Sequence, residues 1–271
     1  MLCLKKHAIL IPLILVLSIV EKNNLGALPF PILENSTIDT YPVWLESAQT
    51  TGALAIINKP LHRTSFDIVA KLRWLTKTKK VGHTGTLDPL ATGVLILCFG
   101  KATKWIDQIQ SGEKEYLAHI KLGATTITDD AEGEEIVSGV SIDHIAEELI
   151  DRTVQTFTGT ISQIPPMYSA IKKNGVPLYK LARKGETINR TERMVAIQSI
   201  QLCDWKSPVF SCLVRCGKGT YIRALARDIG STLECGGYLT GLQRTENASF
   251  RVERALDMDT IIATAEMFRT L

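Results

Sequence analysis

One stretch carries a reactive side chain in a setting built to hold it still: Gly82-His83-Thr84-Gly85-Thr86-Leu87-Asp88-Pro89-Leu90-Ala91-Thr92-Gly93. Three glycines, three threonines and one proline within twelve residues predict a tight loop between a helix and a strand. Asp88 precedes Pro89, which biases its backbone toward an extended conformation and puts its carboxylate on a stiff support. Small residues around it let a substrate approach closely. An ionised carboxylate in such a place serves as a nucleophile or a base, and a neighbouring cation favours the ionised form. On spacing alone, the stretch reads at least as readily as a plain glycine-rich turn with Asp88 as a local cap.

The charge pattern suggests an anionic partner. Net charge over 271 residues is only +3, below that of a strongly basic nucleic-acid binder. The distribution is more telling. Lys71, Arg73, Lys77, Lys79, Lys80, Lys101 and Lys104 cluster around a region whose one acid is Asp88, and Lys172, Lys173, Lys180, Arg183 and Lys184 form a second run. Such runs neutralise phosphates or simply solvate helix faces. Six cysteines without a C-x-x-C pair give little support to a zinc site, and reduced thiols are expected.

The elements that must position the loop follow from periodicity. Ala53 to Asn58 is an apolar run stopped at Lys59-Pro60, as in a buried strand. Thr64-Ser65-Phe66-Asp67 resembles a capping box, after which Phe66, Val69, Leu72 and Leu75 recur at helical spacing. Val94 to Phe99 reads as a second buried strand, with Cys98 as a small core residue. Tyr116, Ala118, Ile120 and Leu122 alternate with Leu117, His119 and Lys121, as in a half-buried strand. Ile142, Ile145 and Leu149 predict a helix running toward Phe157. Further strands are expected over Met167 to Lys172, Met194 to Trp205 and Phe210 to Arg215, then a helix over Ile222 to Leu233. Strict β-α alternation is absent, so the fold class is α+β, with a central mixed or mostly antiparallel sheet flanked by helices and loops.

Gly82 to Gly93, continuing through Gly100-Lys101-Ala102-Thr103-Lys104, resembles the signature loop of TruB-type pseudouridine synthases. The other landmarks of that family follow in order. Asn58-Lys59-Pro60 is similar to its first motif, with Asn where Asp is common, and Lys114-Glu115-Tyr116 to its tyrosine segment. Thr128-Asp129-Asp130-Ala131-Glu132-Gly133 resembles its acidic turn. Ile164 to Ala170 and Leu178 to Arg183 resemble its central block. Lys218-Gly219-Thr220-Tyr221-Ile222-Arg223 and Leu239 to Arg244 resemble its last two motifs.

The resemblance implies a pseudouridine synthase domain over residues 51–260, an N-terminal extension over 1–50 outside the fold, and a short tail over 261–271. It implies an isomerase that takes a uridine of the tRNA T-arm out of its stack and needs neither metal nor redox cofactor. Asp88 would be the catalytic carboxylate, Arg223 its cation, and Tyr116 the ring that stacks on the flipped base. His83 would occupy the space the base leaves, and Tyr221 and Leu242 would line the pocket. Lys59, Lys104 and Asp130 join the expected substrate-binding residues. Departures are Leu61-His62-Arg63 in the first turn and Glu246-Asn247-Ala248 where a glycine turn is usual. About fifteen residues follow Leu256, too few for the PUA-type RNA-binding module that many members carry.

A monomeric, cytoplasmic enzyme is expected. Ala8 to Val20, a largely apolar run of thirteen residues after Lys5 and Lys6, is short for a membrane span. It reads as a targeting segment, a true extension, or a start placed too far upstream; the last best fits an intracellular RNA enzyme, though it requires a non-AUG start. Two other functions stay open: a pseudouridine synthase for a different RNA, and a non-catalytic tRNA-binding or folding protein.

Overall fold

The computed structural model describes residues 28–268, apart from Ala170, Asn174 and Thr187. The apolar run Ala8 to Val20 lies outside the described residues. In chain order, β1 (Ile32–Leu33), a 3-10 turn and α1 (Tyr41–Thr50) lead into β2 (Ala53–Lys59) and α2 (Ser65–Thr76). Then come β3 (Val81–His83), β4 (Ala91–Phe99), α3 (Ile106–Gln110), β5 (Lys114–Leu122), β6 (Ala124–Thr126) and β7 (Glu135–Val137). They are followed by α4 (Glu147–Gln155), β8 (Gly159–Gln163), β9 (Lys172–Lys173), β10 (Val176–Pro177), α5 (Leu178–Ala182), β11 (Arg193–Lys206) and β12 (Val209–Cys216). Helix α6 (Ile222–Thr232), β13 (Gly237–Asn247), β14 (Phe250–Arg251), β15 (Leu256–Asp257) and α7 (Met258–Met267) complete the chain.

The main sheet runs β1-β2-β4-β13-β5-β12-β11-β8, with β3, β14 and β15 on its margins. Most pairs are antiparallel, but β13 lies parallel to β4, and β1 and β15 lie parallel to β2. This is the expected mixed α+β architecture. Strands β2, over Ala53 to Ile57, and β4, over Val94 to Phe99, are runs of apolar residues, as suits strands covered on both faces. Ala55, Ile57, Leu95 and Leu97 face the core under α1, α2 and α7, while Leu54, Ile56, Val94 and Ile96 face a second core with Ala248 and Phe250. A third core joins β5, β11 and β12 to α4 and α6. Tyr116 and Leu242 touch the first and third cores together, so they mark the seam between the two halves of the sheet.

That seam requires a glycine. A Cβ on Gly93 would lie 2.2 Å from the carbonyl oxygen of Arg244, and its φ is +96°. Only glycine lets β4 and β13 approach this closely at the point where the site is built.

Several expectations need correction. Residues 32–50 belong to the fold, because Leu33, Tyr41, Trp44 and Ala48 are buried in the first core. Trp44 donates its ring N–H to the Leu54 carbonyl at 2.7 Å and meets Phe99 edge-on. At the other end, residues 258–267 form α7 with Ile261 and Ala265 buried, and Tyr41 stacks on Phe268. On α2 the capping box of Thr64 and Asp67 is present in both directions, but Phe66 is 64% exposed and Ile68 is the residue turned inward. Helix α4 starts at Glu147, later than Ile142. Met167 to Ser169 form no strand: Pro165 and Pro166 offer no N–H to a ladder, and the segment is drawn across to α6 instead.

Trp44→Ala empties a filled core position and leaves the Leu54 carbonyl without its donor. It is expected to lower the unfolding free energy by about 3–5 kcal/mol. Urea denaturation measures this, and an unchanged midpoint would show that residues 32–50 do not stabilise the domain.

Candidate active site

The loop that bears Asp88 is fastened at almost every residue. Thr84 N–H donates to the Ile96 carbonyl at 3.1 Å, and Asn247 donates to the Thr84 hydroxyl. Ser65, at the first turn of α2, accepts Leu87 N–H at 2.8 Å and donates back to the Leu87 carbonyl at 3.1 Å. Ala91 N–H closes the Asp88-Pro89 turn onto the Asp88 carbonyl at 3.0 Å. The proline bias read from the sequence is therefore reinforced by tertiary contacts on both sides.

Opposite the loop, α6 delivers Arg223. Its guanidinium is 5% exposed and every arm is engaged. Nε lies 2.9 Å from Asp88 Oδ2, and Nη1 lies 3.4 Å from Asp130 Oδ2. Nη1 also donates to the Thr128 carbonyl at 3.1 Å, and Nη2 donates to the Tyr168 carbonyl at 2.8 Å. The Nε contact is an ion pair rather than an aligned hydrogen bond. Burial pushes the Asp88 carboxyl above its ordinary range and Asp130 adds to this, while Arg223 and Lys59 pull it down. With 37% of its side chain open to solvent, Asp88 meets the cleft as well as the guanidinium.

The cleft in front of the pair measures about 280 Å³ and is lined by Asp88, Tyr116, Tyr221, Arg223 and Leu242, together with Lys114, Lys218, Ser169 and Arg244. Leu242 and Arg244 follow one another on the same face of β13, and Arg244 pairs in register with Tyr116 on β5. Tyr221 is set by Gln163, whose side-chain amide accepts from Tyr221 N and donates to Tyr221 O. Burial raises the Tyr116 hydroxyl above its usual range, with the Arg244 guanidinium pulling the other way, and burial raises Tyr221 as well. Both are neutral phenols at physiological pH.

Four of the expected substrate-binding residues do not line this cleft. Lys59 is fully buried, and its ammonium donates to the carbonyls of Pro60 at 2.8 Å, Arg63 at 2.6 Å and Pro89 at 3.4 Å. Desolvation lowers its pKa to about 8. It is a brace under the Asp88 loop and is not open to a substrate. Asp130 is 2% exposed and sits behind Arg223, accepting from the Thr128 hydroxyl at 2.6 Å. Its role is to hold the guanidinium. His83 is half-buried on β3, where its Nδ1 accepts Gly85 N–H at 3.3 Å. Burial and the Arg244 charge lower its pKa, so it is neutral. Lys104 lines a separate hollow of about 800 Å³ with Lys77, Lys79, Lys80 and Lys101. That hollow is the larger of the two, but it holds no carboxylate.

Three residues of the site escaped the sequence reading. Arg227 lies one turn after Arg223 and reaches Asp129 at 2.8 Å and the Ile164 carbonyl at 2.9 Å, so the i, i+4 spacing of two arginines was its signal. Arg244 is fully buried, donating to the Val94 carbonyl at 2.7 Å and the Gly85 carbonyl at 3.2 Å; strand alternation with Leu242 was its signal. Ser169 had none.

A buried guanidinium beside a loop-borne carboxylate, with two neutral tyrosines lining the same cleft and a lysine-lined hollow apart from it, has the make-up of an enzyme site that receives an anionic substrate. Residues 73–222 match the family described as TruB family pseudouridylate synthase, N-terminal domain. A Francisella philomiragia protein named tRNA pseudouridine synthase B is 48% identical over 210 residues, 78% of this chain and 70% of that one. A protein of the same name from Cupriavidus metallidurans is 47% identical over 233 residues, 85% of this chain and 73% of that one. A solved Cbf5-Nop10-Gar1 complex shares the fold at 27% identity and a TM-score of 0.61, covering 79% of this chain and 54% of that one. An H/ACA RNP bound to a substrate RNA containing 2′-deoxyuridine aligns with a TM-score of 0.62 at 21% identity, covering 93% of this chain and 64% of that one. The chain thus spans just over half to under two thirds of those structural relatives. It belongs to the TruB family of pseudouridine synthases.

Because burial raises the Asp88 carboxyl, the ionised form is lost as pH falls through a value above 3.8. The acidic limb of kcat is expected above that pH, and it should move further upward in Arg223→Gln, which removes the stabilising charge. A pH–rate profile with circular dichroism at each pH checks this; a limb that stays put in Arg223→Gln would show that the guanidinium does not stabilise the anion.

Proposed function

We propose that this protein isomerises a uridine in the T-loop of tRNA to pseudouridine, acting as a monomer on the T-arm in the cytoplasm, with Asp88 as the catalytic carboxylate. The observation that carries this reading is the Asp88–Arg223 pair at 2.9 Å, facing a cleft of about 280 Å³. The relatives named tRNA pseudouridine synthase B supply the reaction and the substrate class. Among the described residues no helix is long and apolar enough to cross a membrane.

The target uridine is stacked inside a folded loop, so it must be turned out before chemistry. Tyr116 and Leu242 offer the base a ring and an apolar edge at the seam of the sheet, and His83 stands beside the loop to fill the gap in the RNA. The bond from N1 to ribose C1′ breaks, the uracil turns, and C5 bonds to C1′. The C5 proton leaves and N1 gains one, so no atom or electron is added overall. Asp88 acts either by attack on C1′ or by removing a ribose proton to give a glycal. Both routes need the carboxylate ionised, which Arg223 provides. The phenols of Tyr116 and Tyr221, held neutral, are within the same cleft for proton transfer. The lysine hollow containing Lys104 supports contacts to the phosphates of the T-arm.

Tritium release from tRNA carrying 5-tritiated uridine tests the reaction. Asp88→Asn is expected to abolish release while tRNA binding survives, and Arg223→Ala to lower turnover by about 100-fold or more. Substantial release by a clean Asp88→Asn preparation would remove the catalytic assignment, and normal turnover in Arg223→Ala would reduce the arginine to a structural part.

A further inference from the structure

The outer face of α2 carries two large rings in the open. Phe66, Ala70 and Trp74 recur at four-residue spacing, which puts them along one side of the helix. All three are exposed, Phe66 at 64% and Trp74 at 59%. Cations frame them: Arg63 precedes the helix, Lys71 holds its ammonium 5.0 Å from the centre of the Trp74 ring, and Lys77 is the C-cap. Asp67, the one acid of the helix, is turned back to accept Thr64 N–H at 2.8 Å. The ends of the helix matter as much as its face. Ser65, in the first turn, is bonded to Leu87 of the Asp88 loop, and Lys77 lines the lysine hollow. A helix of twelve residues, about 18 Å long, therefore runs from the catalytic loop to the hollow.

Resting on the reading of the cleft as a uridine isomerase site for tRNA, we propose that this face of α2 binds the substrate RNA outside the cleft, with Trp74 stacking on an unpaired base and Lys71 and Lys77 meeting the phosphates beside it. An exposed ring with a cation against it matches both chemistries of a nucleotide, a π-face for the base and positive charge for the phosphate. Position supports the same occupant. RNA that engages both the cleft and the hollow has α2 between its two points of contact. Phe66, about 12 Å nearer the catalytic loop, offers a second ring on that path. A second copy of this chain fits the face poorly: a symmetric pairing would set Arg63, Lys71 and Lys77 against their own counterparts, and like charges oppose that. Stacking tolerates any base, so the contact adds affinity for the RNA without choosing its sequence.

The test uses the full chain carrying Asp88→Asn, so that no turnover intervenes, and a labelled tRNA transcript as the probe. Binding is followed by fluorescence anisotropy over a range of salt. Adding Trp74→Leu, which keeps apolar area but no ring, is expected to weaken binding about tenfold. Trp74→Tyr, which keeps a ring, should restore most of that loss. Adding Lys71→Gln should flatten the slope of log K against log salt by about 0.7–0.9, the share of one phosphate. Contact is read directly by Trp74→p-benzoylphenylalanine, which on irradiation should cross-link to the tRNA. Cross-links to protein alone, within a chain or between copies, overturn the RNA contact. So does a Trp74→Leu chain that binds as tightly as its parent, and either result leaves the isomerase reading intact. A parent that binds no tRNA overturns the tRNA reading, and the α2 contact falls with it.

Discussion

The attraction between one buried guanidinium and one loop-borne carboxylate organises this molecule. Arg223 comes from α6, and Asp88 from the turn before β4; the two segments are far apart in sequence and lie on opposite sides of a cleft. The same guanidinium also takes in Thr128, Asp130 and Tyr168, so three separate segments converge on a single planar fork. A buried ion pair is a poor source of stability, because desolvation cancels most of its Coulomb energy. What it secures is geometry: the carboxylate is held opposite a cation at the wall of the cleft.

The sheet exists in its present form to hold that cleft open at a seam. Two halves with separate cores meet where β4 and β13 run parallel, and Tyr116 and Leu242 stand on the boundary. Gly93 permits the close approach, and Arg244 ties the Val94 carbonyl of β4 to the Gly85 carbonyl of the loop while lying against Tyr116. Two neighbouring strands thereby carry a rigid loop on one side and a base-sized apolar ledge on the other.

The cations divide into two populations with different work. Lys59, Lys114, Arg223 and Arg244 are buried and committed to backbone carbonyls or to the carboxylate. Lys77, Lys79, Lys80, Lys101 and Lys104 border an open hollow in which their charge remains available to phosphates. A net charge of +3 hides this division, since buried and open cations count alike in the total.

The sequence by itself determined the parts that depend on local rules. The capping box at Thr64, the apolar doubly buried strands β2 and β4, the alternation of β5, and the stiff Asp88-Pro89 turn all follow from spacing and side-chain type. Motif order along the chain was enough to name Asp88, Tyr116, Tyr221, Arg223 and Leu242, and all five line one cleft. Only the tertiary structure decided which charged groups face a substrate. Lys59 and Asp130 have the residue types of ligand contacts, but burial turns one into a brace for carbonyls and the other into a clasp on Arg223. It also decided that residues 32–50 belong to the core: Tyr41, Trp44 and Ala48 fall at helical spacing, but the partners that bury Trp44, Leu54 and Phe99, come from strands outside the helix. The physical reason is common to these cases: propensity and pattern act over a few neighbouring residues, whereas burial and ion pairing depend on which distant segments the sheet brings together.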